Sequence, residues 1–145
     1  MAYCTKDQVA DEFNGSVSFG VTTSPTATTV DRWIAEADVL IDAKVGLRYD
    51  TPITDPTDLI LIRMISVLLV SARVRKRLNR TGPDNENAKV KVSDSMSEAN
   101  KMLNDIVKGL TNLPGSSLAN SEAGVSSYTV GLEDPHTFKK GEDQW

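Results

Sequence analysis

The sequence predicts a mostly α-helical protein, a small bundle of about four helices with an extended C-terminal arm. Apolar residues recur at helical spacing in several segments before residue 110, and capping or breaker residues separate those segments. After residue 111 the chain is rich in Gly, Ser, Asn and Pro and too poor in apolar residues to build a core. We therefore predict a helical body over residues 1–110 and, over residues 111–145, an arm that orders on binding a partner.

The first helix is expected to begin after Thr5. The threonine hydroxyl can accept from the backbone three residues on, and Gln8 can reach back to complete a capping box. Cys4 and Val9 occupy the positions of a hydrophobic staple, and the pair Asn14-Gly15 is typical of a helix end. The Ser/Thr-rich segment 15–29 that follows is long enough to indicate a loop that forms a contact surface.

The second and third helices have clear periodicity or clear start signals. Thr28 or Thr29 is the expected cap of the second helix, and Gly46 its expected end. Its apolar residues at helical spacing are Val30, Trp33, Ile34, Ala37, Leu40, Ile41 and Val45. Asp55 followed by Pro56 predicts the start of a third helix that is apolar almost all round over residues 59–74. We expect that helix to form the centre of the core, or of a core and a subunit interface.

The fourth helix is predicted over roughly residues 86–110, after a break at residues 81–84. A narrow apolar seam runs along it, of the kind that packs on another helix, formed by Val92, Met96, Ala99, Leu103, Ile106 and Leu110. Beyond it, the segment from residue 111 is either an inert tail or a binding arm. Strand-forming composition and large aromatic anchors favour the arm, with partner contacts at Val125, Tyr128, Val130, Phe138 and Trp145.

Composition and residue types argue against several classes of function. The net charge of −4 is unlike that of a general nucleic-acid binder, although a local basic patch is compatible with it. The longest apolar stretch is too short to span a membrane, and no secretory signal is visible, so we expect no membrane association. The single cysteine and the single histidine, His136, provide neither a metal site nor a catalytic triad. We expect no enzyme activity, no metal and no cofactor.

Two charged groups remain as candidate contact residues. One group is a cluster of cations at the end of the third helix, Arg73, Arg75, Lys76, Arg77 and Arg80. These cations either complement the helix dipole or form a contact site, for phosphate or for an acidic partner surface. Acidic residues follow the polar side of the second helix, where Asp38 and Asp42 would share a hydrated face. Asp31 precedes them on the same helix.

Three stretches together resemble the head–tail connector proteins of tailed bacteriophages, also called adaptor or head-completion proteins. Residues 3–10 resemble the short first helix of that family. Residues 34–43, with the exit Val45-Gly46-Leu47-Arg48-Tyr49 and then Pro52-Ile53, resemble its second helix. The apolar helix ending Ser71-Ala72-Arg73 and the later segment 103–109 complete the likeness, which covers roughly residues 3–110.

The resemblance implies a helical subunit that assembles as a ring, usually of about twelve copies, below the portal of the capsid. Such a ring binds the portal protein and the next neck or tail-completion protein, and leaves a channel through which genomic DNA passes without sequence-specific contact. The candidates to line that channel are Asp31, Asp38 and Asp42. It also implies a place in the neck of the virion, after assembly in the host cytoplasm, and a C-terminal extension that docks on the portal. The alternatives are another tail-completion structural protein and a small DNA-associated regulator that uses the basic run 73–80.

Overall fold

The fold is mostly helical, as the sequence predicts. The computed structural model describes residues 1–79 and 86–119, with the backbone alone for residues 86–92. The helices are α1 (Lys6–Asp11), α2 (Ala27–Val45), α3 (Pro56–Asn79) and α4 (Glu86–Lys108). Within these residues there is no strand, and the one β-bridge pairs Tyr49 with Leu118 in antiparallel fashion.

Helix α1 begins as its sequence predicts, because both bonds of the capping box are present. The backbone N–H of Gln8 donates to the Thr5 hydroxyl at 3.3 Å, and the N–H of Thr5 donates to the Gln8 side chain at 2.9 Å. Cys4 and Val9, the residues at the staple positions, are both buried in the core. The short first helix is thus fixed at its start by hydrogen bonds and by apolar contact.

Helix α2 begins earlier than the sequence predicts. Its N-cap is Thr26 rather than Thr28 or Thr29, and the Thr26 hydroxyl accepts from the N–H of Thr29 at 3.3 Å. The reason lies in the preceding loop, where the N–H of Ala27 donates to the carbonyl of Gly20 at 2.9 Å and closes a compact turn. That closure places Thr26 where the first helical N–H groups need an acceptor.

Helix α3 is the central element and packs against each of the other three helices. Its predicted N-cap is confirmed, since an Asp55 carboxylate oxygen accepts from the N–H groups of Thr57 at 2.9 Å and Asp58 at 3.2 Å. The largest fully buried apolar side chains of the core come from α2, α3 and α4 and the loop before α3; they are Ile41, Ile53, Ile62, Ile65, Leu103 and Ile106. The described part of α3 is not covered on all sides, because Ile60 and Met64 are 66% and 45% exposed.

Helix α4 packs antiparallel to α3 along the predicted seam. Ala99, Leu103 and Ile106 are fully buried, whereas Leu110, predicted as the last residue of the seam, is 74% exposed. The helix ends at Lys108 because Gly109 adopts a φ of +75° and turns the chain away. The side chain of Val92 lies outside the described residues.

The packed body extends past Leu110, where the sequence places its end. Leu113 is only 3% exposed, and its N–H donates to the hydroxyl of Tyr49 at 3.2 Å. Asp58 accepts from the N–H of Gly115 at 3.1 Å and from the Ser116 hydroxyl at 2.6 Å. Residues 113–119 therefore lie against the helices, and the arm prediction concerns residues 120–145, which lie outside the described residues.

Candidate functional site

Three cations of the predicted run meet helix α2 at one corner of the body. Arg73, Lys76 and Arg77, near the end of α3, line a hollow of about 250 Å³ together with Trp33 and Glu36 of α2. A second hollow of about 220 Å³ has Trp33 and Arg77 among its lining residues, and adds Arg32 and the loop around Thr26. We call the set Arg32, Trp33, Arg73, Lys76 and Arg77 the basic corner.

The ion pairs divide the basic corner into held and exposed cations. Glu36 pairs with Arg73 and also with Arg32, one helical turn earlier on α2, at 3.7 Å. Lys76 and Arg77 are exposed and form no ion pair within the described residues. Two of the cations are thus paired with Glu36, while the other two have no carboxylate partner in that part of the chain and present their charge to solvent.

Arg75 belongs to a different part of the surface. Its guanidinium donates to the Ser95 hydroxyl at 2.7 Å and to the Glu12 carboxylate at 3.2 Å, and lies 5.2 Å from the centre of the Phe13 ring. This side chain joins α3 to α4 and to the turn that follows α1, so its role in the fold is structural. Arg80, the last cation of the predicted run, lies outside the described residues.

Sequence reasoning found the α3 part of the basic corner and missed the α2 part. Arg32 and Trp33 belong to no recognisable sequence motif. They meet α3 only because α2 and α3 pack side by side. The available signal was the i,i+4 pair Arg32 and Glu36, which predicts an ion pair on α2 but says nothing about a neighbouring helix.

The three acidic residues predicted as candidates to line a channel have three different environments. Asp31 is exposed and pairs with Lys6 at 3.3 Å. Asp42 accepts a hydrogen bond from the Tyr3 hydroxyl. Asp38 is only 8% exposed, so its placement on a hydrated, channel-facing surface is wrong. Its carboxylate accepts from the N–H of Tyr3 at 3.3 Å and from the Ser66 hydroxyl at 3.4 Å, which explains how it is satisfied inside the body.

Burial shifts the protonation of this polar cluster. Desolvation raises the pKa of Asp38, although hydrogen bonds from Tyr3 and Ser66 act in the opposite direction. Burial also raises the pKa of Cys4, whose sulfur accepts from the Ser66 hydroxyl at 3.2 Å. The pKa of the Tyr3 hydroxyl is raised by burial and by its bond to Asp42. A thiol whose pKa is raised is a weak nucleophile, so the cluster is suited to holding the N-terminal segment in place.

The predicted arm residues lie outside the described residues; they are Val125, Tyr128, Val130, Phe138 and Trp145. The structure does describe where the chain leaves the body. The N–H of Asp50 donates to the carbonyl of Ser117 at 2.9 Å, and the N–H of Ala119 donates to the carbonyl of Arg48 at 2.8 Å. The segment 120–145 thus starts beside the loop that connects α2 to α3.

Within residues 1–79 and 86–119, no cluster of His, Cys, Asp and Glu has the arrangement of a metal site. Over the same part of the chain, no helix is both long and apolar enough to cross a bilayer.

Comparison with known families decides the class of the protein. A family model described as Bacteriophage Mu, Gp36 matches residues 3–130, which is most of the chain. The chain belongs to the bacteriophage Mu Gp36 family. Comparison with curated proteins and with solved structures found no match.

Membership of the Gp36 family makes this a bacteriophage protein of the structural and assembly class, associated with the virion. The phage origin inferred from the resemblance of residues 3–110 is thereby confirmed. The match includes all four helices and continues to residue 130, so it covers the body and the first residues of the predicted arm.

Proposed function

We propose that this Gp36-family protein is a non-enzymatic head–tail connector subunit. In this proposal, copies of the body form a ring below the portal, the C-terminal arm binds the portal, and the ring connects it to the next neck component around a DNA channel. The observation that carries the proposal is an exposed apolar pair, Ile60 and Met64, on the central helix of a body that is otherwise well packed.

The exposed apolar pair lies on the side of α3 that faces away from α2. Ser66, which bonds to Asp38 of α2, is roughly 120–160° around the helix from Ile60 and Met64. Large apolar side chains on a core helix cost free energy in water unless another surface covers them. The pair therefore supports a contact with a second copy of the chain.

A ring needs two different patches on each copy, because a head-to-tail interface joins one face to another. The second patch in this proposal is on α2, where Val39 is 70% exposed beside a hollow of about 630 Å³. Ile34, Ala35 and the N-terminal residues Met1 and Ala2 contribute apolar surface to that hollow. An apolar pair on α3 and an apolar hollow beside α2 are suitable partners for head-to-tail packing.

The first experiment measures the mass of the assembly by native mass spectrometry, alone and with the portal protein of the same phage. We expect wild-type chain to form a ring of uniform size on the portal. The double substitution Ile60→Glu with Met64→Glu should reduce ring formation at least tenfold, since it places two charges in the proposed interface. Val21→Glu, at a residue 91% exposed in a loop, is the control and should leave the ring intact.

The second experiment removes the arm by truncation after Ala119, which keeps the buried Leu113 and the bonds of Asp58 in place. We expect the truncated protein to unfold at nearly the wild-type temperature but to lose binding to the portal. Undiminished capture of portal by the truncated protein would defeat the arm hypothesis. A ring that forms without affinity for the portal would favour a tail-completion protein instead.

A further inference from the structure

The basic corner concentrates positive charge on a protein that is acidic as a whole. Four cations, Arg32, Arg73, Lys76 and Arg77, surround one carboxylate, Glu36, which leaves a local excess of three positive charges. The complete chain has a net charge of −4. Glu36 is the one acidic residue among the described residues that line the two hollows, so the lining of the hollows carries the whole of this excess.

Compensation of the helix dipole explains only part of this arrangement. Cations in the last turn of α3, such as Lys76 and Arg77, interact favourably with the carbonyl groups at that end. Arg32 is in the N-terminal half of α2, where there are no terminal carbonyl groups to attract it. Two helices thus bring cations to one place although the dipole of only one of them favours it.

The geometry of the corner suits phosphate groups better than an acidic protein surface. Trp33 is half-buried and, with Arg77, lines both hollows, so the cations border two adjoining depressions. Protein interfaces are usually centred on exposed apolar anchors, but the strongly exposed apolar residues of the body, among them Ile60 and Val39, line neither hollow. Exposed Arg and Lys without such anchors are typical of contacts with the DNA backbone.

We propose that the basic corner binds backbone phosphates of duplex DNA without reading its sequence, and is the part of the body that faces DNA in the connector. This inference rests on the proposed connector function, which supplies the DNA. Arg73 and Arg32 are held by Glu36 and shape the surface, while Lys76 and Arg77 make the phosphate contacts with the most freedom to adjust. The opposite arrangement, an acidic channel wall of Asp31, Asp38 and Asp42, has less support, because Asp38 is buried and the other two are paired with Lys6 and Tyr3.

The test measures binding of a labelled duplex by fluorescence anisotropy, with the full chain alone and in its portal-bound assembly, at salt concentrations from about 50 to 200 mM. If all four cations contact phosphates, the affinity of each copy should fall about 150-fold across this range. The double substitution Lys76→Gln with Arg77→Gln should weaken binding and reduce that fall to about 12-fold, because two contacts are lost. Two duplexes of unrelated sequence should bind equally.

The matched control is Lys101→Gln with Lys108→Gln, which removes two exposed cations from α4 and should leave DNA binding unchanged. The inference is overturned if the wild type binds no duplex in either form, or if Lys76→Gln with Arg77→Gln keeps the wild-type salt dependence. It is also overturned if that variant loses portal binding while it retains DNA binding, since the corner would then dock on an acidic protein. A portal-bound ring that ignores DNA rejects this inference alone, whereas a chain that binds DNA but never the portal rejects the connector function.

Discussion

The two segments that flank the helical body are attached to it in different ways, although both reach the loop between α2 and α3. At the N-terminal side, Tyr3 and Cys4 are 3% and 2% exposed, and the Tyr3 hydroxyl accepts from the N–H of Ile53 at 3.0 Å. At the C-terminal side, Leu113 is buried in the same core, whereas Leu118 is 49% exposed and its segment is held mainly by backbone hydrogen bonds. Two consecutive buried side chains fix the first segment. The second is fixed by one buried leucine, by hydrogen bonds to the Tyr49 and Asp58 side chains, and by backbone bonds at its end.

This difference has a consequence for assembly. The N-terminal segment contributes buried side chains from consecutive positions, so its detachment would expose core and remove the Tyr3 N–H that donates to the buried Asp38. Residues 117–119 could separate from residues 48–50 with the loss of two backbone hydrogen bonds, which costs little when water replaces them. We therefore expect adjustments during assembly to occur on the C-terminal side, where the arm begins.

The largest loss of stability is expected from Tyr3→Ala. The substitution removes a buried aromatic ring, the bond to Asp42 and the bond from Ile53, and should lower the free energy of unfolding by about 3–5 kcal/mol. Tyr3→Phe keeps the ring and should cost about 1–3 kcal/mol, since it leaves two polar partners without their hydrogen bond. Chemical denaturation measures both. Equal costs for the two variants would show that the ring contributes nothing beyond its hydroxyl.

A smaller effect is expected from Leu113→Ala in the C-terminal segment. Loss of this buried side chain should lower the free energy of unfolding by about 2–4 kcal/mol. The matched control is Leu118→Ala, five positions further on at a half-exposed β-bridge residue, which should cost less than about 1 kcal/mol. If the two leucines cost the same, Leu113 does not form part of the core and the body ends near residue 110.

The contrast between the segments also shows what the sequence could and could not predict. The start of α1 was readable because Thr5 and Gln8 are three residues apart and satisfy each other locally. The attachment of residues 113–119 was not, because it depends on Tyr49 and Asp58, which are more than fifty positions away in the chain. One leucine among Pro, Gly and Ser has no periodicity, so composition alone placed the end of the body too early.

In the candidate sites, too, local patterns could be predicted from the sequence and contacts between distant residues could not. The cations of α3 were visible as a run, but their association with Arg32 and Trp33 depends on how α2 packs against α3. The spacing of Asp38 and Asp42 correctly predicted one side of a helix, but not that Tyr3 and Ser66 would cover Asp38. Local hydrogen bonds and helical periodicity can be predicted from a single sequence, whereas contacts between distant segments cannot.

The smallest expected effect is a dependence of stability on pH. It originates at Asp38, where the N-terminal segment packs on α2. Burial raises the pKa of Asp38 above its ordinary value of 3.8, so the folded protein keeps this proton over a pH range in which the unfolded chain has released it. Stability from this group is therefore fully present below the unfolded pKa and is lost as the pH rises through the folded pKa. Asp38→Asn cannot titrate, so the wild type should lose stability relative to this variant as the pH rises through that range.

Ser66→Ala sharpens this test. The Ser66 hydroxyl donates to Asp38 and lowers its pKa, so its removal should raise the pKa further and extend the loss of stability to higher pH. Denaturation midpoints are measured from pH 3 to pH 8 for the wild type, Ser66→Ala and Asp38→Asn. The change of midpoint with pH then distinguishes the three proteins. Parallel curves for the wild type and Asp38→Asn would mean that Asp38 has the same proton affinity in both states. The carboxylate would then be as hydrated in the folded protein as in the unfolded chain, and Tyr3 would not be closing the body over it.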